Sequence, residues 1–153
     1  MTIYAPAHST RQQGMTLIEI TVVIVALAVL ITIGVSATLF SLTKARDSER
    51  KTDTATLASV LESYHNTKGK YPLLSDIQAG TIQSVTPDML SAPGSILANS
   101  LVASSTPTTQ QYGYITTDQS GATCSSGVQC GVRFTLYWQS EQDKVVYAVK
   151  SIK

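Results

Sequence analysis

The 153 residues suffice for one ordinary domain, and a 43% hydrophobic content would suit a soluble protein if it were evenly spread. It is concentrated instead: the 24 residues from Ile20 to Thr43 contain no Asp, Glu, Lys, Arg or His. Residues 44–153 hold 10 Lys+Arg against 9 Asp+Glu, and this near-neutral balance without a basic patch argues against a dedicated nucleic-acid surface.

Residues 1–14, "MTIYAPAHSTRQQG", are short and polar, lack helical periodicity and read as a processing segment. The apolar run that follows is rich in Val, Ile and Thr, which favour strands in water. In lipid every backbone group must be satisfied within the segment, which forces a helix, and about 20 apolar residues span a bilayer core. One residue is out of place, Glu19, at the head of the run. A charge at the centre of a membrane helix costs ~2.5–3.5 kcal/mol, and less near its end. In the intact chain the nearest cation before it is Arg11, eight residues away across a glycine. A cut after Gly14 would give Met15 a positive α-amine four residues before Glu19, within reach of that carboxylate or of the one on an adjacent copy.

Beyond Leu42 the chemistry changes to "TKARDSERKTDTATLASVLESYHNTKGKYP". Leu57, Val60, Leu61 and Tyr64 recur at the spacing of an amphipathic helix. Asp47 can pair with Arg50 and Lys51 along that helix, at tenths of a kcal/mol per pair. No Pro or Gly stands between Gly34 and Gly69, so one helix is expected from about Met15 to about Asn66, roughly 75 Å at ~1.5 Å per residue. Gly69 and Pro72 end it. Residues 73–111 read as loop with little local order, apart from a short helix at 87–91 started by a Thr86 N-cap and Pro87. The Ser/Thr/Gln-dense stretch 98–111 reads as exposed. Strands are predicted at 112–117, 132–138 and 145–152, with "QSEQD" as a hairpin turn. A three- or four-stranded antiparallel sheet packed on Leu57, Leu61 and Tyr64 would bury both apolar faces. Cys124 and Cys130, in "CSSGVQC", do not have paired zinc-ligand spacing, and His8 and His65 are distant. They read as a short disulfide loop, which requires an oxidising compartment.

The stretch "G-MTLIEI" followed by some twenty apolar residues resembles the class III signal of type IV pilins and pseudopilins, and "LESYHNTKGKYP" is similar to the helix end and "YP" turn of many pilin-like proteins. The resemblance implies cleavage between Gly14 and Met15, N-methylation of Met15, and a role for Glu19 in assembly, paired with the terminal amine of a neighbouring subunit. It implies an α+β, pilin-like fold: leader 1–14, transmembrane and filament-core helix 15–43, and 44–153 as the amphipathic continuation plus a small antiparallel head. The implied partners are other copies and minor pilins, the prepilin peptidase/methyltransferase, membrane lipid and the pilus assembly machinery. The implied location is the cytoplasmic membrane before assembly and an extracellular pilus or cell surface afterwards. Met15 stands where phenylalanine is usual, and the proline often found inside the apolar run is absent.

Three other readings compete. A plain signal anchor would make Glu19 incidental, and a secretory signal could end at the small residues Val35-Ser36-Ala37. A pseudopilin of a type II secretion system could hold calcium, for which Asp76, Asp88, Asp118 and Asp143 would have to converge; otherwise no cofactor is expected. No phosphate loop, GxSxG elbow or HExxH is present, so no catalysis is expected, and His65 reads as packing or solvated. Lys44, Arg46, Arg50 and Lys51 follow the run while Arg11 alone closely precedes it, a bias that by itself would keep the C-terminal part inside.

Overall fold

A computed structural model describes residues 14–127 and 130–152, in two compact units, Met1–Leu39 and Phe40–Lys153. The expected leader, apart from Gly14, lies outside the described residues. The first long element, helix α1, spans Leu17–Lys68.

In the first unit every described side chain of α1 is exposed. The segment is long and apolar enough to cross a membrane. Its threonine side chains are turned back on the helix itself. The hydroxyls of Thr21, Thr32 and Thr38 donate to the carbonyls of Ile18, Ala28 and Gly34 at 2.8–2.9 Å. A threonine so satisfied adds little polarity to an apolar surface, which suits a β-branched helix in lipid.

In the second unit α1 buries Arg50, Thr54, Leu57 and Leu61. Their spacings of four, three and four residues place them on one helix face. The expected stripe is therefore corrected: Val60 and Tyr64 lie partly buried at its margin, and the core face extends N-terminally through two polar residues. Gly69, at φ +75°, closes the helix by donating its N–H to the His65 carbonyl at 2.8 Å.

Two short helices follow, α2 at Leu74–Gln78 and α3 at Pro87–Leu90. The second is where Pro87 predicts it, but the Thr86 side chain makes no capping bond. The strands are β1 Leu101–Val102, β2 Tyr112–Thr117, β3 Thr123–Cys124, β4 Arg133–Gln139 and β5 Val146–Lys150. They form one five-stranded sheet in the order β1-β2-β4-β5, with β3 also paired to β2.

The sheet is mixed rather than antiparallel throughout, because β1 runs parallel to β2 with Leu101 opposite Tyr112. A two-residue strand inside a Ser/Thr-rich stretch has no period to read. Leu101 is nevertheless buried, and the Tyr112 N–H donates to the Ser100 carbonyl at 3.0 Å, so residues 98–111 are not simply an exposed loop.

On the core face Tyr112, Tyr114 and Thr116 stand opposite Trp138, Leu136 and Phe134. Apart from Thr116, these residues pack with Leu57 and Leu61 into one apolar cluster. The Cys124–Cys130 disulfide forms, with Cα atoms 5.8 Å apart. Closing so short a loop contributes about 2 kcal/mol in the chain-entropy model, so the bond pins the β3–β4 connection more than it holds the fold.

Two glycines are required by close approach. At Gly131 (φ +83°) a side chain would press on the Tyr71 carbonyl, while the Tyr71 N–H donates to the Gly131 carbonyl at 2.8 Å. At Gly113 a Cβ would overlap the Ser104 carbonyl oxygen and crowd Tyr137. Gly113→Ala is expected to lower stability by roughly 1–3 kcal/mol, read from the urea midpoint of the full chain in detergent micelles. An unchanged midpoint would mean that the loop after β1 yields freely.

Candidate functional site

Two sets of residues stand out, one at the start of α1 and one where its charged segment meets the head. Gly14 and Met15 precede the helix in irregular backbone, and among the described residues nothing lies within 4 Å of a Cβ placed on Gly14. With Leu17 the first helical residue, Thr16 occupies the N-cap and Glu19 the third helical position. The Glu19 N–H donates to the Thr16 hydroxyl at 3.3 Å and to its carbonyl at 3.1 Å. "TLIE" is thus a Thr-x-x-Glu helix start, legible in the sequence but overlooked when Glu19 is judged only by the cost of a charge in lipid. An acid in the first turn also meets the positive end of the helix dipole, worth ~0.3–1 kcal/mol where exposed. The Glu19 side chain itself is exposed. Arg11 lies outside the described residues.

The second set centres on Arg50, which is 0% exposed. Its Nε donates to the Thr109 carbonyl at 2.9 Å, Nη1 to Asp47 Oδ1 at 2.9 Å, and Nη2 to the Pro93 carbonyl at 3.0 Å and to Glu141 Oε1. Arg46 pairs with the other Glu141 oxygen at 3.2 Å. Asp47 also accepts from the Ser140 hydroxyl at 2.7 Å and from the N–H groups of Glu141 and Gln142 at 2.9 and 3.2 Å. The expected Asp47–Arg50 pair is therefore present, but it is not a weak surface pair. It belongs to a buried network that ties α1 to three separate connections, and removing one partner of such a network typically costs ~3–5 kcal/mol. Lys51, the other expected partner, remains exposed. The missing signal was Glu141, which meets Arg50 across 91 positions.

The remaining candidates are dispersed. Asp76 accepts from the Leu73 N–H at 3.1 Å, Asp118 from the Ser120 hydroxyl at 2.6 Å, and Asp143 from the Val145 N–H at 3.0 Å. Each organises its own turn, and Asp88 sits in the first turn of α3. Among the described residues no three His, Cys, Asp or Glu side chains gather as a metal site would need. His65 stacks on Tyr71 with ring centroids 4.4 Å apart, a packing role.

Compared with known protein families, residues 9–35 match the model for the prokaryotic N-terminal methylation motif. No curated protein and no solved structure matches the chain. The motif is the class III signal peptide of type IV pilins. Here it heads an α+β, pilin-like architecture of one long helix and a small mixed sheet. The motif supports a type IV pilin-like or pseudopilin precursor, and proteins that carry it are generally structural subunits.

Burial opposes the Asp47 charge, but the Glu141 N–H, Ser140 hydroxyl, Gln142 N–H and Arg50 outweigh it together and hold the carboxyl below the ordinary aspartate range. A carboxyl depressed by folding stabilises above its unfolded value of about 3.9, and that contribution fades as pH falls through the lower folded value. Asp47→Asn is therefore expected to be less stable at neutral pH and to lose less stability on acidification. Thermal melts from about pH 7 down to about pH 3 would show this, and acid limbs of equal steepness would refute it.

Proposed function

We propose that the chain is the precursor of a subunit of a type IV pilus or pilus-like filament, cut after Gly14, methylated on Met15 and assembled through residues 15 to about 42. The observation that carries this reading is the methylation motif over residues 9–35, set at the head of a helix whose described apolar side chains are all exposed as far as Leu39. A helix apolar on every side needs lipid or other helices around it. The membrane supplies the first before assembly, and other copies of the chain, with minor pilins, supply the second. The prepilin peptidase/methyltransferase separates the two stages, and the assembly machinery moves the subunit from membrane to surface.

In this reading Glu19 pairs with the Met15 amine of a neighbouring subunit and sets the register of the bundle. Stranding one charge of such a pair in a dry core typically costs ~3–5 kcal/mol. Glu19→Ala is expected to be processed normally yet to give few filaments in sheared surface fractions; a normal yield would remove the register role. Gly14→Glu is expected to retain the leader and block assembly. Intact mass and N-terminal sequencing of the native surface protein test the whole route: a chain beginning at N-methylated Met15 supports it, and one beginning at Met1 leaves a signal anchor.

A further inference from the structure

The loop between α3 and β1 carries two apolar side chains with no cover. Ile96 is 96% exposed, the highest value for any large hydrophobic among the described residues, and Leu97 beside it is 56% exposed. The loop is nevertheless fastened at its base. The Ser100 hydroxyl donates to the Leu90 carbonyl at 2.8 Å and accepts the Ala92 N–H at 2.7 Å, while the Ser91 hydroxyl donates to the Ala98 carbonyl at 2.7 Å. A base held this way keeps the tip from folding back to bury its own side chains.

The position of this loop within the second unit identifies what covers it. Its Pro93 carbonyl accepts from Arg50, and a Cβ on Gly94 would lie 4.0 Å from Arg46 Nη1. Arg46 is three residues beyond Thr43, the last residue of the uncharged run, or ~4.5 Å along a helix. That run of 24 residues measures roughly 36 Å, more than the ~30 Å of a bilayer core, so its final residues reach the headgroup region. The loop is thus fixed, through Arg50 and beside Arg46, to the segment at which the anchored chain would leave the membrane.

The geometry points to a membrane-docking surface: in the anchored precursor, Ile96 and Leu97 insert into the lipid interface and seat the head on the bilayer that holds its helix. Burying two aliphatic side chains there is favourable, and the tether removes the entropy cost that a free protein would face. This inference rests on the membrane-anchored reading above.

The test uses the full chain in phosphatidylethanolamine/phosphatidylglycerol vesicles with brominated acyl chains. Ile96→Trp is compared with Gln119→Trp, an exposed site beyond the far end of β2, and the unsubstituted chain supplies the Trp138 background. The indole introduced by Ile96→Trp is expected to be quenched at least about twofold more than the one introduced by Gln119→Trp, as for a side chain roughly 5–10 Å into the interface. Equal quenching in vesicles that retain the protein through alkaline extraction would overturn the docking surface alone. Loss of the protein from those vesicles would overturn the anchored reading and this inference with it. Emission from the Ile96→Trp chain that tracks protein density instead of bromine would assign the loop to a second copy, and also overturn it.

Discussion

The head depends on a charge that it buries. Arg50 comes from a helix face that otherwise supplies Thr54, Leu57 and Leu61 to the core, and it is as inaccessible as either leucine. A buried guanidinium is tolerated only if its N–H groups are met, and here two carboxylates and two backbone carbonyls meet them. Lysine could not substitute, because a single ammonium lacks the planar fork that reaches partners on several sides. The carbonyls of Pro93 and Thr109 and the carboxylate of Glu141 belong to three connections with almost no regular structure. Arg50 therefore does for those loops what ladder hydrogen bonds do for strands: it gives each one position over the helix.

The same device recurs in milder form along α1. The hydroxyl of Tyr112 donates to Asp53 at 2.8 Å, that of Tyr71 to Glu62 at 2.7 Å, and the Ile152 N–H donates to the other Glu62 oxygen at 2.9 Å. Tyr114 reaches the Pro72 carbonyl at 2.6 Å. Burial pushes the Tyr112 and Tyr114 hydroxyls well above the usual phenol range, so both remain protonated donors. Leu57, Leu61, Phe134 and Leu136 contribute the apolar area, while the tyrosine and acid pairs at its edge choose the register in which helix and sheet meet.

The first unit shows the opposite arrangement. Every described side chain in its part of α1 is exposed, and its threonines are satisfied by their own helix. Nothing in it specifies a folded neighbour, and its apolar surface asks only for an apolar surrounding. Lipid and a bundle of like helices both meet that requirement, so the proposed passage from membrane to filament asks nothing new of this segment. Glu19 breaks this uniformity: Thr16 caps its backbone N–H, and its place in the first turn sets the carboxylate at the positive end of the helix dipole.

Much of this was readable along the chain. The uncharged run, its length and its terminal glutamate follow from composition and spacing alone, because a membrane helix needs no distant partner to be stable. The 3.6-residue period located Leu57 and Leu61, strand-like composition between turn signals located β2, β4 and β5, and the close spacing of two cysteines identified the disulfide. The two-residue strands, the parallel β1–β2 pairing and the burial of Arg50 were not readable, since each depends on groups remote in the sequence. Local periodicity reports which face of an element is apolar. Only the tertiary structure decides where a polar side chain on that face finds its partners, because the cost of burying a charge is settled by the whole set of groups that surround it.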